Sequence, residues 1–336
     1  MKILAYANGD TEITEKDAKS LTHLNTAFVR LRKDGTLEAD HLAIIKRFEE
    51  IRRWNPDIKI VASVVPLEAE AFTVCAAIPA LREKTGSSCA ELCARYGFDG
   101  VDFDWEYPCV PSNGVDATGA DRHNFTLLCA EVRRALDASA KGLLLTIAAG
   151  ADIYFVESVE LPELVKVLDF INLMTYDLKC GFHALAGHHT ALFSSTGDYF
   201  RNSGDQAVRL FHGAGVPKDK LLLGAAFYSR KWEGVKDRNH GFLQICATGG
   251  GYGPDYGKLR EAYINKNGYI RYWDDEAKAP WLFDGSTFLS YDDEESITHK
   301  CDYVKKESLG GIFYWEHKCD PTGTLLGVMA EKLGKR

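Results

Sequence analysis

Short segments rich in apolar residues recur along the chain and alternate with longer segments in which apolar residues repeat every three to four positions. Continuous apolar segments of this length are typical of parallel strands, which are buried on both faces. The longer segments are typical of amphipathic helices; one covers residues 40–53, with Asp40 as its predicted N-cap, and another covers residues 122–138. Strands are predicted at residues 2–6, 24–31, 59–65, 100–105, 143–148, 170–176, 221–228 and 311–315.

Eight strand–helix repeats joined mostly by short links predict an α/β protein of the (β/α)8 TIM-barrel type. One link is far longer, since residues 229–289 separate the seventh strand from the eighth. A structureless loop of that length is improbable in a compact protein. We therefore predict a small α+β subdomain at residues 229–289, inserted into a barrel formed by residues 1–228 and 290–336. A glycine-rich run at 249–253 is interpreted as a turn, because it lacks the GK[ST] sequence of a phosphate-binding loop.

Charge and hydropathy argue against two classes of partner. The chain of 336 residues carries 40 basic and 48 acidic residues, a net charge of −8, and it has no basic stripe that would bind nucleic acid. No apolar segment approaches the roughly 20 residues that a bilayer span requires, so no membrane contact is expected.

The cysteines and the amino-terminal residues bear on the cellular compartment. Nine cysteines are scattered without a disulfide pattern, which favours free thiols in a reducing compartment. The apolar residues 3–7 are too few for a signal peptide. We expect a cytoplasmic monomer, or a secreted protein if a leader has been removed.

The fourth predicted strand carries three carboxylates at alternating positions, Asp102, Asp104 and Glu106. Alternate residues of a strand share one face, so we expect the three to lie together, with Glu106 nearest the carboxyl-terminal rim where barrel enzymes bind substrate. Burial and like charge raise carboxyl pKa values, which makes a proton donor available near neutral pH. A general acid is therefore predicted.

Three other interpretations stay open for this acidic segment. It could be a solvated loop, although the alternating apolar residues would then have no role. It could bind calcium, although the DxDxDG pattern is absent, or it could bind magnesium, although no histidine accompanies it. We expect no metal and no cofactor.

The arrangement also limits the mechanism. Most glycosidases place two carboxylates on opposite sides of the bond that they cleave. Here the carboxylates belong to one strand, and no second carboxylate is evident opposite them. If the reaction is glycoside cleavage, the nucleophile could therefore belong to the substrate.

Residues 99–108, which read DGVDFDWEYP, resemble the signature of the glycoside hydrolase family 18 chitinases. Four further segments resemble family motifs in the same order: MTYD at 174–177, GHHTAL at 187–192, GAAFYSR at 224–230 and GGIFYWE at 310–316. The long insertion is similar to the subdomain of the chitinase-type branch. The resemblance covers the chain from Ile3 to about Leu326.

The resemblance implies a role for each matching residue. Glu106 would act as general acid and base, Asp104 would orient the N-acetyl group that attacks the anomeric carbon, and Asp102 would share a proton with Asp104. Tyr176 would hydrogen-bond the same acetamido group, so the reaction would be retaining and substrate-assisted. The implied substrate-binding residues are Trp315, Asp177, Met174, Phe28, Tyr6, Ser63, Tyr228, Arg230 and Tyr107.

Two segments depart from the family pattern. Residues 63–66 read SVVP where the family carries Ser-x-Gly-Gly, and Phe182 occupies the loop in which the family carries a tryptophan.

We predict hydrolysis of β-1,4-linked N-acetylglucosamine in chitin or chito-oligosaccharides. The alternatives are an endo-β-N-acetylglucosaminidase acting on N-glycans or cell-wall glycans, and a weakly active chitin-binding lectin, although lectins of the family typically lose the acid that Glu106 supplies here.

Overall fold

The computed structural model describes residues 1–112 and 114–335, and within them eight parallel strands form a closed barrel. Numbered along the chain, they are β1 Lys2–Asn8, β2 His23–Leu31, β3 Lys59–Pro66, β4 Gly100–Phe103, β5 Leu144–Gly150, β6 Phe170–Met174, β7 Leu221–Ala226 and β8 Gly311–Trp315. Each strand pairs with the next, and β8 pairs with β1, so that no barrel strand is left at an edge. The predicted TIM barrel is confirmed. A two-residue strand, Leu37–Glu38, pairs with the end of β2.

Helices follow the strands in the predicted alternation. The α-helices are Glu15–Ser20, Phe48–Trp54, Ala71–Ala77, Pro79–Tyr96, Asp121–Ser139, Ile153–Ser158, Leu161–Leu164, Gly204–Gly213, Tyr256–Ala262, Glu294–Lys306 and Thr324–Lys332. Short 3-10 helices cover Ala43–Arg47, Lys218–Lys220, Asn239–Gly241 and His317–Cys319. The prediction of Asp40 as an N-cap is wrong. Its carboxylate accepts a hydrogen bond from the Tyr96 hydroxyl, and the helical turn that follows begins only at Ala43.

Strand β4 is shorter than predicted, although the three carboxylates still lie close to one another. Regular pairing ends at Phe103, so Asp104 and Glu106 lie beyond the strand. The side chain of Trp105 is buried between the rings of Phe72 and Phe125 in the helical layer, at centroid distances of 5.1 and 5.4 Å, and Phe103 packs on Phe72 as well.

A second sheet of five antiparallel strands follows β7. Their spatial order is Gly251–Asp255, Tyr228–Trp232, Phe288–Ser290, Ala279–Phe283 and Ile270–Asp274. The sheet has an apolar cluster of its own that includes Trp232, Trp281 and Phe288. The interpretation of the glycine-rich run as a turn is wrong for its second half, which forms the edge strand Gly251–Asp255. The division into domains at 228/229 and 289/290 stays a prediction.

A buried ion pair connects the loop after β6 to the segment that leads back from the second sheet. Lys300 Nζ lies 2.6 Å from Asp292 Oδ2, and both residues are about 1% exposed. Lys300 also donates to Thr190 Oγ1, and Asp292 accepts from the Ala226 N–H at the end of β7. One pair therefore fastens three elements at the carboxyl-terminal rim of the barrel.

Two further features concern the described residues. None of their helices is both long and apolar enough to cross a membrane. The nine cysteines of the chain, all of them within this described part, are free thiols, and six of them are buried.

Candidate active site

Asp102 is buried in the barrel interior, where its carboxylate accepts four hydrogen bonds from side chains of other strands. Tyr6 and Ser63 donate to Oδ2 at 2.8 and 3.0 Å, and Thr146 and Asn172 donate to Oδ1 at 2.6 and 3.1 Å. Burial raises the pKa of Asp102 above its ordinary value, while the four donors oppose that rise because they favour the charged form.

Asp104 has a different environment. Its backbone N–H donates to the Val64 carbonyl, but its Oδ1 is buried and has no hydrogen-bond partner within residues 1–112 and 114–335. Burial raises the pKa of Asp104 well above its ordinary value, and the neighbouring charges of Glu106 and Asp102 raise it further. Since Asp102 has donors that stabilise its charge and Asp104 Oδ1 has none, the neutral form is favoured more strongly at Asp104 than at Asp102.

Glu106 lies on the segment that leaves β4, and Tyr107 and Ser112 support it. The Tyr107 hydroxyl donates a hydrogen bond to the Glu106 carboxylate; burial, together with the charges of Glu106 and Asp104, raises the pKa of Tyr107 well above its ordinary value. Ser112 Oγ donates to the Glu106 carbonyl oxygen at 3.0 Å. Glu106 is therefore held at the rim, beside Asp104.

Aromatic side chains pack together near these carboxylates. Trp315, at the end of β8, stacks on Phe28 with ring centroids 5.4 Å apart, and it also contacts the ring of Tyr6. Met174 is buried in the apolar cluster that Tyr176 and Trp315 pack against. Trp315 and Phe28 are both half-buried, so parts of their rings remain accessible to a bound sugar.

Tyr176 connects the carboxylates to the second sheet. Burial raises the pKa of Tyr176 well above its ordinary value, and the charges of Asp104 and Glu106, which are close to its hydroxyl, raise it further. Its ring packs edge-on against Phe313 and Tyr228 at about 6 Å. Tyr176 thus faces the two residues predicted to carry the reaction.

Asp177 lies beside Tyr176, and its carboxylate is held by residues of the second sheet. Arg230 donates to it through Nε and Nη2, and the Tyr228 hydroxyl donates at 2.8 Å. His189 Nδ1 lies 3.4 Å from the same carboxylate. Burial raises the pKa of Asp177, but the hydrogen bonds from His189 and Arg230 outweigh it, and the pKa lies below its ordinary value.

Sequence reasoning missed several residues that the structure brings into the site. Thr146 and Asn172 contact Asp102 but were predicted only as parts of strands. A signal exists, because each is a polar residue inside an otherwise apolar strand and must find a partner when buried. The contact between His189 and Asp177 had no local signal, since the two residues are 12 positions apart and a loop lies between them.

The structure describes both segments that depart from the family pattern, residues 63–66 and the loop that contains Phe182. Residues 63–66 continue β3 through Pro66, with Val64 paired to Phe103 and Pro66 paired to Leu31. Phe182 is 97% exposed. Among the described residues, no group of three or more His, Cys, Asp or Glu side chains is arranged to hold a metal ion.

Comparisons with known proteins identify the family. A family model described as "Glycosyl hydrolases family 18" matches residues 2–320. Chitinase A1 of Niallia circulans is 37% identical over 304 residues, which are 84% of this chain and 43% of that protein; the chain thus spans less than half of that relative. Chitinase B of Serratia marcescens is 28% identical over 91% of this chain and 74% of its own length.

Two solved structures match nearly the full length of the chain. The structure of a family 18 N-acetylglucosaminidase from Paenibacillus barengoltzii is 45% identical with a TM-score of 0.95, covering 98% of this chain and 99% of that one. A class V chitinase variant from Nicotiana tobaccum in complex with NAG4 is 27% identical with a TM-score of 0.88, covering 99% of both chains.

Proposed function

The chain belongs to the glycosyl hydrolases of family 18, and on this premise we propose that it hydrolyses β-1,4 bonds between N-acetylglucosamine residues of chito-oligosaccharides. Curated relatives are named chitinases, and a related chitinase has been solved with NAG4 bound. The intact Glu106 favours an enzyme over a lectin.

The first step breaks the glycosidic bond. The Glu106 carboxyl group donates its proton to the glycosidic oxygen, while the carbonyl oxygen of the substrate's own N-acetyl group attacks the anomeric carbon. The bond from that carbon to the glycosidic oxygen breaks, one part of the chain leaves as an alcohol, and a cyclic oxazolinium ion remains. Because the nucleophile belongs to the same sugar, the attack is intramolecular, and little further entropy is lost in orienting it.

The second step hydrolyses the oxazolinium ion. Water attacks the anomeric carbon from the opposite face, the Glu106 carboxylate accepts its proton, and the ring opens to restore the acetamido group. Two inversions at one carbon retain the β configuration.

The observation that carries this proposal is the unpartnered Oδ1 of Asp104. A buried oxygen without a partner is costly, and Asp104 is adjacent to Glu106 and Tyr176. The N–H of a substrate acetamido group is a suitable donor for it. That hydrogen bond would turn the acetamido carbonyl toward the anomeric carbon, with Tyr176 donating to the same group. Trp315 offers an apolar ring face for the C–H face of the sugar.

A second candidate concerns where the chain is cut. The N-acetylglucosaminidase of Paenibacillus barengoltzii matches this chain over nearly the full length of both proteins. This match favours release of single N-acetylglucosamine units from a chain end as the alternative to cleavage within the chain.

One experiment tests the proposal and separates the candidates. The protein is incubated with N-acetylglucosamine oligomers of two to six units and, separately, with a glycoprotein carrying N-glycans, and products are identified by chromatography and early proton NMR. We expect cleavage of the oligomers with β-anomeric product. Monosaccharide as the sole early product indicates action at the chain end. Release of glycan without oligomer cleavage, or an α-anomeric first product, contradicts the proposal; a chain carrying Glu106→Gln serves as the inactive control.

A further inference from the structure

The glycine-rich run presents a single large side chain, that of Tyr252, on the edge strand Gly251–Asp255. Two glycines allow the strand to lie close to its neighbour. A Cβ at position 250 would lie 2.4 Å from the Trp232 ring, and a Cβ at position 253 would lie 2.5 Å from Ser229 Oγ. Close approach to side chains of the neighbouring strand, before and after Tyr252, therefore sets the position of Tyr252.

The Tyr252 ring is exposed and yet held in place. It is 70% exposed, and the Arg230 guanidinium lies over one face, 3.9 Å from the ring centroid. Tyr252 pairs with Arg230 in the sheet register, so the contact follows from strand pairing. A cation over one face leaves the opposite face available to a ligand and reduces the entropy lost when that ligand binds.

Tyr252 is also the outermost of three tyrosines that lead away from the reacting groups. Ring centroids of Tyr176 and Tyr228 are 6.1 Å apart, and those of Tyr228 and Tyr252 are 5.6 Å apart. Tyr252 therefore lies one residue further from the reacting groups than Tyr228.

We propose that Tyr252 is a specificity-determining residue whose free ring face stacks on the N-acetylglucosamine unit next to the sugar at the cleavage site. This proposal rests on the proposed function and adds a contact with a sugar outside the cleavage site. The apolar C–H face of a pyranose fits an aromatic ring, and a ring held beforehand gains more from that contact than a mobile one. Affinity for oligomers would then depend on Tyr252, whereas affinity for a single sugar would not.

The test compares Tyr252→Ala, Tyr252→Phe and the control Tyr199→Ala. Tyr199 is likewise exposed, at 87%, but its ring contacts Phe200, 5.5 Å away. Calorimetry measures binding of the N-acetylglucosamine tetramer in chains that also carry Glu106→Gln, which prevents turnover. Competitive inhibition by a thiazoline mimic of one cyclised N-acetylglucosamine is measured in chains that retain Glu106.

We expect Tyr252→Ala to weaken tetramer binding about 3- to 10-fold, as for the loss of one stacking contact, and to leave thiazoline inhibition unchanged. Tyr252→Phe and Tyr199→Ala should bind both ligands as the unsubstituted chain does. Equal weakening of both ligands would show that Tyr252 acts only by supporting Arg230, and no weakening would show that it touches no sugar; each result overturns the proposal. If the unsubstituted chain neither binds the tetramer nor cleaves it, the proposed function fails, and the Tyr252 proposal fails with it.

Discussion

Arg230 donates two hydrogen bonds to the carboxylate of Asp177, and this contact joins the residue after Tyr176 to the first strand of the second sheet. A guanidinium that bonds a carboxylate through two nitrogens fixes its orientation as well as its charge. The side chain of Asp177 is still 32% exposed, so the pair is accessible to a bound sugar. The second sheet thus contributes directly to the active site.

We expect Arg230→Ala to lower the free energy of unfolding by about 1–3 kcal/mol at pH 7, because a half-buried carboxylate loses its charged donor. The folded-state pKa of Asp177 is depressed, so its stabilising contribution exists above the unfolded pKa of about 3.9 and is lost as the pH falls further. The difference between variant and unsubstituted chain in urea unfolding should therefore shrink below about pH 4. Arg134→Ala, which removes a similar two-bond pair with Glu131 on the surface, is the control, and an equal loss there would contradict the argument.

Replacing Glu106 with glutamine removes the donated proton but keeps the shape of the side chain. General acid–base catalysis contributes about 10²–10⁴-fold, so kcat on the tetramer should fall by at least that factor while tetramer binding survives. Glu91→Gln, on the exposed face of the helix Pro79–Tyr96, should leave kcat unchanged. If the Glu106 variant keeps half of its activity, another residue is the acid.

Asp104→Asn should make the protein inactive and yet more stable at neutral pH. The folded-state pKa of Asp104 is raised, so between the unfolded pKa and the folded one the native state binds more protons than the unfolded state. Stability of the unsubstituted chain therefore falls as the pH rises through that window, and an asparagine does not share this loss. We expect a Tm gain of about 1–3 °C at pH 7 that disappears near pH 3, measured by calorimetry.

Asp102→Asn is the informative comparison. Its folded-state pKa is raised as well, but each carboxylate oxygen accepts two hydrogen bonds, and the amide nitrogen that replaces one oxygen cannot accept its pair. We expect this variant to lose about 1–3 kcal/mol of stability. A gain in Tm for Asp102→Asn, or a loss for Asp104→Asn, would contradict the stronger preference for the neutral form inferred for Asp104.

Lys300 and Asp292 offer a test of how the rim is assembled. Lys300→Met leaves a buried carboxylate without its cation and should cost about 3–5 kcal/mol, measured by urea unfolding. Adding Asp292→Leu should cost less than the sum of the single effects, because the unpaired charge is gone. Lys305→Met, which removes an exposed pair with Asp302, should change stability by less than about 1 kcal/mol. Strict additivity of the two buried substitutions would show that the pair does not act as a unit.

Much of the barrel could be predicted from local pattern. A strand buried on both faces needs a nearly continuous apolar segment. The residues of β7 and β8 form such segments, which can be recognised without knowing the rest of the chain. The spacing of Asp102, Asp104 and Glu106 could also be recognised from local sequence, because all three residues lie on one short segment.

The packing of the residues that follow β4 depends on contacts with residues distant in sequence, so it could not be predicted from local pattern. Regular pairing ends at Phe103, and Trp105 then packs between Phe72, 33 residues before it, and Phe125, 20 residues after it. The apolar character of Trp105 predicted burial, but not which residues would be its partners. Only the predicted length of the strand was wrong, since the three carboxylates still lie close to one another.

The surroundings of each carboxylate were decided only by tertiary structure. Asp102 receives its donors from four other strands, and Asp177 receives Arg230 from 53 residues further along the chain. The amino-acid sequence determined which side chains could ionise and where along the strands they stand. Which of them hold a proton, which are paired and which are left open for a substrate depend on barrel closure and on the packing of the second sheet, because only these bring distant donors within hydrogen-bonding distance.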